Sequence, residues 1–358
     1  MWNKIVNPLT GRKVNINSKL GQTIIHNYLN VLVGGSSKEA SEKAGDKLNV
    51  LSYNVSWEAL TPKPDWNIGP NPYTQGDGEN GLGFLCNKDV EVCRQNIFEV
   101  LANGLTNTNG EKEPYDLMGL QEYYPEALDE KIKGTLSDMT MVSDYVELPL
   151  PNFIKPIFIA SLFNHKKFKL HHTILGEFLA RQRDGTLGHD GRPFLILLLE
   201  NIQSNEMIIF INAHMPQTRN IINEEGDEPQ IVIQKVLESA ITSNIPEEIY
   251  LKARIIMCSD TNDCGPWFAK DDPRNNEKYA FIDKFTILDK KLYLGSDLRK
   301  TCCSSTLIPI DGKKYVKPPS HRFGDVVLDS KSGEFVYNYP KFTEPASDHL
   351  PIACQLIK

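Results

Sequence analysis

Long apolar runs are missing from this sequence of 358 residues. The longest, Phe194–Leu199, suits a buried strand, whereas a membrane-spanning helix needs about 20 apolar residues. Met1-Trp2-Asn3-Lys4 does not lead into the apolar stretch of about 7–15 residues that a secretory signal carries, so no signal is expected. No Cys-x-x-Cys occurs among the seven cysteines at 86, 93, 258, 264, 302, 303 and 354. Their number is odd and the Cys302-Cys303 spacing is wrong for zinc, so reduced thiols in a cytoplasmic chain are expected. With 24 glycines and 22 prolines the chain is neither collagenous nor of low complexity, and no repeat recurs at a solenoid period. A hydrophobic share of 40% and a charged share of 24% exclude disorder of the whole chain.

Excess positive charge is lacking too. The net charge is -7, yet the first 47 residues carry seven Lys and Arg against three Asp and Glu, a local +4 that leaves -11 on the remainder. An acidic body is not the profile of a strong non-specific nucleic-acid binder. It is compatible with an enzyme that holds Mg²⁺ in an acidic cleft and touches phosphates through a few local cations, but ordinary solubility charge accounts for it first.

Three regions are expected: a small basic module over 1–35, a polar linker over 36–47, and one large domain over 48–358. In the first, Asn7-Pro8-Leu9-Thr10-Gly11-Arg12-Lys13 is turn-rich, and Leu20, Ile24, Ile25, Tyr28, Leu29 and Leu32 repeat at helical spacing until Gly34-Gly35. In the large domain, apolar stretches predict strands over Leu48–Val55, Asp116–Gln121, Phe158–Leu162, Arg192–Leu199, Met207–Ala213, Arg254–Cys258, Asp325–Leu328 and Ile352–Leu356. A helix is predicted after Asn87, with Val90, Cys93, Ile97, Val100 and Leu101 as its stripe, and another after Pro229, with Val232, Val236, Leu237, Ala240 and Ile241. Thr61–Leu85 reads as a long loop and Gly265–Ser320 as a polar insertion. Many strands with few helices suggest two sheets packed face to face with helices outside.

Polar residues recur where those strands end. Asn54, Glu122, His214, Asp260 with Asn262, and Asp348 with His349 each adjoin an apolar strand. One such residue is an ordinary loop cap; the joint pattern points to convergence at one edge of a sheet scaffold. Carboxylates and carboxamides together favour Mg²⁺ over zinc, and two histidines add a general base and a donor to a phosphoryl oxygen.

The set resembles the endonuclease/exonuclease/phosphatase superfamily, which includes deoxyribonuclease I. Leu51-Ser52-Tyr53-Asn54 is similar to its first-strand Asn motif, Leu120-Gln121-Glu122 to its Gln-Glu motif and Asn212-Ala213-His214 to its Asn-Thr-His motif. Ser259-Asp260-Thr261-Asn262 is similar to its Gly-Asp-x-Asn motif, with Ser for Gly. Arg322-Phe323-Gly324-Asp325-Val326-Val327-Leu328 matches its Arg-x-Asp-x-Ile-Leu strand with one extra residue, and Ser347-Asp348-His349 its Ser-Asp-His motif. The resemblance implies an α/β fold, a four-layer sandwich of two mixed β-sheets flanked by helices, deoxyribonuclease I-like. It implies a Mg²⁺-dependent phosphoester hydrolase, with Mn²⁺ as the other metal, using Glu122, Asn54 and Asp348 as metal ligands. It further implies His349 as general base, Asp325 as the partner of its imidazole, His214 as phosphoryl donor, and Asp260 and Asn262 as groups orienting the nucleophile. A phosphodiesterase is expected, with nucleic acid placed slightly ahead of inositol phosphates or lipids. A phosphatase or a phospholipase C-type enzyme is the first alternative and an inactive adaptor the second. Asn7-Pro8-Leu9-Thr10-Gly11-Arg12 resembles short modules on large DNA virus proteins, which implies a viral protein with a tether to a viral or host partner; an ordinary N-terminal arm that packs on the main domain is the equal alternative.

Other residues leave two readings open. Arg181, Arg183 and Arg192 flank a Gly-containing loop, either as exposed charges or as a grip on phosphate. His165, His171 and His172 read as surface or packed residues. Trp66, Tyr73, Phe84, Trp267, Phe268 and His321 are either local anchors or part of a substrate rim.

Overall fold

The computed structural model describes residues 4–6, 13–15, 18, 47–56, 60, 90–106, 110–150, 153–181, 187–216, 229–262, 285–294, 306–310, 313–317, 325–331, 335–338, 347, 349 and 351–356. The helix expected over 19–33, the linker up to residue 46 and the loop over 61–85 lie outside them.

The chain divides into two compact units, Met1–Asp46 and Lys47–Lys358. In the first, β1 (Lys4–Val6) pairs antiparallel with β2 (Lys13–Asn15), joining the two sides of the Asn-Pro-containing turn sequence.

In the second unit, twelve strands build two six-stranded sheets. One runs, edge to edge, β19 (Phe335–Asn338), β20 (Ile352–Leu356), β3 (Leu48–Asn54), β6 (Leu117–Tyr123), β8 (Phe153–Asn164) and β7 (Met139–Leu150). The other runs β15 (Tyr293–Leu294), β18 (Asp325–Asp329), β12 (Arg254–Asp260), β11 (Met207–His214), β10 (Leu187–Asn201) and β9 (Phe168–Arg181). Among the described residues, three short ribbons complete the strands: β4 (Leu105–Thr106) with β5 (Lys112–Glu113), β13 (Thr286–Ile287) with β14 (Lys290–Lys291), and β16 (Thr306–Ile310) with β17 (Lys313–Lys317).

Each large sheet is mixed in the same way. A central pair is parallel, β3 with β6 and β11 with β12, and the other pairings are antiparallel. A parallel pair needs a crossover, and a helix lies in each: α1 (Val90–Asn103) between β3 and β6, α3 (Pro229–Asn244) between β11 and β12. Helix α2 (Pro125–Thr135) follows β6, and a short α4 (Glu247–Tyr250) precedes β12.

Strand alternation sorts side chains into layers. Leu48 and Val50 of β3 meet Ile208 and Phe210 of β11 and Ile256 and Cys258 of β12 in the core between the sheets. The intervening Leu51 and Tyr53 face outward and pack with Cys93, Ile97 and Leu101 of α1 and Leu128 and Ile132 of α2. On the other side, Ile209 and Ile211 pack with Ile233, Leu237 and Ile241 of α3. The order of layers is therefore helices, sheet, sheet, helix. Strands buried on both faces explain why the sequence shows nearly continuous apolar runs there.

Two sequence expectations need correction. The stretch read as a polar insertion holds β13 to β17, whose two- to five-residue strands are too short to show a period. Cys93 is disulfide-bonded, whereas Cys258 and Cys354 are free and buried. An odd cysteine count requires only that one thiol stay unpaired, so it never excluded a cross-link at Cys93.

Candidate active site

The inner-face rows of the strands end in polar residues at one edge of the sandwich. On β3 the row 48, 50, 52, 54 runs from two apolar residues to Ser52 and Asn54; on β11 the row 208, 210, 212, 214 ends in Asn212 and His214. The register pairs His214 with Asp260 and Asp260 with Asp325, so three chemically active side chains stand abreast on β11, β12 and β18. Asn54 pairs with Gln121 at the end of the parallel pair in the facing sheet. The cleft therefore opens at the carboxyl ends of both parallel pairs.

Glu122 reaches this cleft by a local irregularity. Plain alternation would send it outward with Met118 and Leu120, toward the helices. A bulge between Gln121 and Tyr123, with Glu122 in the left-handed region at φ 52°, inserts one residue and turns its side chain inward. Tyr123 takes the outward place and packs in the helix-side core. Left-handed backbone costs a residue with a Cβ about 1–3 kcal/mol, and such strain clusters where function fixes it. Two further positive-φ residues, Ser56 at 52° and Asn262 at 45°, flank the same site.

Short contacts link the set. Asn54 Nδ2 donates to Asp260 Oδ2 at 2.9 Å, and Asn54 Oδ1 accepts the Ser56 N–H at 2.9 Å. His349 Nδ1 lies 2.9 Å from Asp325 Oδ2, and its Nε2 lies 3.8 Å from Asp260 Oδ2. His214 Nε2 stands 3.5 Å from both Asp260 Oδ2 and Glu122 Oε1. Arg192 NH1 is 3.3 Å from His214 Nδ1 and 3.7 Å from Glu122 Oε1. Ser347 Oγ donates to the Asn54 carbonyl at 2.8 Å and accepts the His349 N–H at 3.1 Å, anchoring the segment that carries His349 to the end of β3.

Asn262 is placed differently from the other amide. Its backbone N–H donates to Asp260 Oδ1 at 2.9 Å, while its carboxamide nitrogen donates to the Met215 carbonyl at 2.7 Å. It braces the loops after β11 and β12 and meets the cluster through its main chain. Asp348 lies outside the described residues, as do His321, Trp66, Tyr73, Phe84, Trp267, Phe268 and Arg183. His165 and His171 serve elsewhere, against Thr140 and Glu200.

Asp260 is fully buried, and burial pushes its carboxyl up to about 7; the charge of His349 pulls it down and the neighbouring Asp325 carboxylate adds to the rise. Two buried carboxylates on paired positions, with Glu122 opposite, concentrate negative charge that a cation would relieve. Ligand atoms of Asp260, Asp325 and His349 lie within 4.8 Å of one another. Carboxylate and carboxamide oxygens fit a hard divalent ion such as Mg²⁺, which takes only part of its shell from protein.

Gln121 and Asn212, which belong to two of the motifs, have a role the sequence does not assign them. Gln121 Nε2 donates across the sandwich to Asn212 Oδ1 at 2.7 Å, and Asn212 Nδ2 donates to the Ala160 carbonyl at 2.8 Å. A Cβ on Gly119 would meet the Cys258 Cβ at 2.6 Å and Asn212 Oδ1 at 3.0 Å, so glycine lets the sheets close together here. The signal was the parity of Gln121 and Asn212, which share the inner face just behind the cleft.

Neither family models nor curated proteins give a match to this sequence. Solved structures do. An endonuclease/exonuclease/phosphatase from Bacteroides vulgatus matches with a TM-score of 0.53 at 10% identity, covering 87% of this chain and 99% of that one. The human Nocturnin catalytic domain matches with a TM-score of 0.48 at 15% identity, over 86% of this chain and 93% of that one. A Bacteroides thetaiotaomicron mannosyl-6-phosphatase matches with a TM-score of 0.47 at 15% identity, over 87% and 100%. Two mixed sheets between helices, shared with the Bacteroides vulgatus protein over nearly its whole length, show that this chain has the fold of the endonuclease/exonuclease/phosphatase family.

Proposed function

We propose that the chain is a divalent-metal-dependent phosphoester hydrolase, acting as a nuclease-like phosphodiesterase with Mg²⁺ or Mn²⁺. The observation that carries this reading is the Asp325–His349 pair, whose outer nitrogen faces a buried carboxylate beside the inward-turned Glu122.

A carboxylate at Nδ1 can only accept, so it keeps that nitrogen protonated and leaves Nε2 as the acceptor of His349. His349 Nε2 then takes the proton of an attacking water as its oxygen bonds to phosphorus and the bond to the leaving oxygen breaks. Asp325 stabilises the imidazolium that forms. His214 donates to a non-bridging phosphoryl oxygen, and Asp260, held by Asn54 and the Asn262 N–H, orients the water. Glu122, Asn54 and Asp348 are the residues proposed to hold the cation. When bound, it supplies charge neutralisation at the phosphoryl and leaving oxygens.

The substrate ranking stays as the sequence suggests, nucleic acid ahead of inositol phosphates or lipids. A panel of single-stranded DNA, duplex DNA with an abasic site, RNA, inositol phosphates and sphingomyelin, each with Mg²⁺ and with chelator, tests it. Turnover of at least one phosphodiester that chelation abolishes and His349→Ala removes is the expected result. A chain that hydrolyses none of them is the adaptor instead.

A further inference from the structure

Two histidines face the same buried carboxylate oxygen. His349 Nε2 is 3.8 Å and His214 Nε2 is 3.5 Å from Asp260 Oδ2. What stands behind each ring is opposite in kind. Behind His349 it is the Asp325 carboxylate, 2.9 Å from Nδ1; behind His214 it is the Arg192 guanidinium, 3.3 Å from Nδ1.

A neutral imidazole has one N–H and one acceptor nitrogen, and its partners decide which is which. A guanidinium has five N–H donors and nothing that accepts. A hydrogen bond between Arg192 and His214 Nδ1 therefore exists only when Nδ1 carries the lone pair. The proton must then sit on Nε2. The other side of the ring agrees, because Glu122 Oε1, 3.5 Å from Nε2, is an acceptor. His349 is held in the reverse sense toward the cleft, with Nε2 as its acceptor.

We propose that Arg192 is a positioning residue that holds His214 as its Nε2–H tautomer, so that of two rings facing one oxygen, His349 receives a proton and His214 presents one. This rests on the phosphoester hydrolase reading for its role in turnover, though not for the tautomer itself. Arg192 lies within β10, two residues before Phe194, which pairs with Ala213 next to His214 on the neighbouring strand. Its side chain is 22% exposed, and it lies 3.7 Å from Glu122, which sets the guanidinium between the two residues it orients. The sequence left Arg192 open as a phosphate grip; the geometry gives it a partner inside the protein.

The test is ¹⁵N NMR of the imidazoles in the full-length, metal-free chain labelled at histidine, with His214→Asn to assign the signal. In the wild type the His214 Nδ1 should show the shift of an unprotonated nitrogen and Nε2 that of a protonated one. A wild-type His214 protonated at Nδ1 overturns the proposal, whatever any variant does. Arg192→Met, which keeps the stem and removes the donors, should mix the tautomers and lower kcat about tenfold to a hundredfold, with KM changed less than about threefold. Arg192→Lys should recover part of both. If Arg192→Met raises KM alone and leaves the tautomer unchanged, the residue grips substrate directly and the proposal fails. A wild type without hydrolytic activity would sink the enzyme reading, while the NMR result would still decide the tautomer.

Discussion

Replacing Asp325 by Asn removes one charge and keeps the shape of the side chain. Asp325 is buried, and its Oδ2 lies 2.9 Å from His349 Nδ1. During proton transfer His349 becomes an imidazolium, which the carboxylate stabilises. Two opposite unit charges about 3 Å apart interact by roughly 4–6 kcal/mol at an effective dielectric near 20. At about 1.4 kcal/mol per decade, this is a loss of roughly 10³–10⁴ in kcat. Asn adds a second fault, since its NH₂ can donate to Nδ1 and so favour the ring with the proton on Nε2, the nitrogen that must accept. The fold should tolerate the change. Asp325 is one cause of the raised carboxyl of Asp260, so removing its charge eases the ionisation of that neighbour. The assay is steady-state hydrolysis of a chromogenic nitrophenyl phosphodiester with Mg²⁺, alongside thermal unfolding. A kcat within tenfold of wild type, in a chain with unchanged Tm, would refute the role of the Asp325–His349 pair.

Further outcomes follow from the same geometry. Glu122→Gln should cut metal-dependent turnover by about 10²–10³ without unfolding the chain, and should weaken Mn²⁺ binding measured by calorimetry. For the metal-free chain, Asp260 sets a pH trend. Its folded value is pushed up from 3.8 to about 7, so between these values the unfolded chain has lost a proton that the folded chain keeps. Stability should therefore fall as pH rises from about 4 to 7 and level above it; urea unfolding at pH 5 and pH 7.5 measures this, and Asp260→Asn should flatten the slope. Adding Mg²⁺ at neutral pH should restore stability by mass action, seen as a Tm that climbs with Mg²⁺ concentration. Gln121→Ala should cost about 1–3 kcal/mol in urea unfolding by leaving Asn212 Oδ1 without its cross-sheet donor, and pairing it with Asn212→Ala in a double-mutant cycle should show non-additivity.

What the sequence made legible follows from how locally each feature is written. Leu48–Asn54 and Ile352–Leu356 are apolar enough, and bounded clearly enough, to be read as strands directly. The stripes of α1 and α3 have the period of a helix, and Ile97, Leu101, Leu237 and Ile241 are buried where it places them. The long β7 was missed because Met139–Leu150 mixes Thr, Ser, Asp and Glu among its apolar residues. Helix α2 was missed because Tyr124 gives no side-chain cap and only Pro125 marks its start. At the site, the motifs named the residues but not their directions. Glu122 has outward parity, and only the bulge, a feature of pairing with β8 and thus of distant sequence, turns it inward. Arg192 carried no local sign of its partner, since His214 lies on the next strand, 22 residues on.

In the proposed site Glu122, Asn54 and Asp348 hold one divalent cation beside the Asp260–Asp325–His349 group. An anomalous-difference map from crystals grown with Mn²⁺ tests this most directly. One strong peak against the Glu122 carboxylate in the wild type, lost in Glu122→Gln, is the predicted result. A wild-type map with no peak in this cleft at saturating Mn²⁺, or a peak untouched by Glu122→Gln, would contradict it.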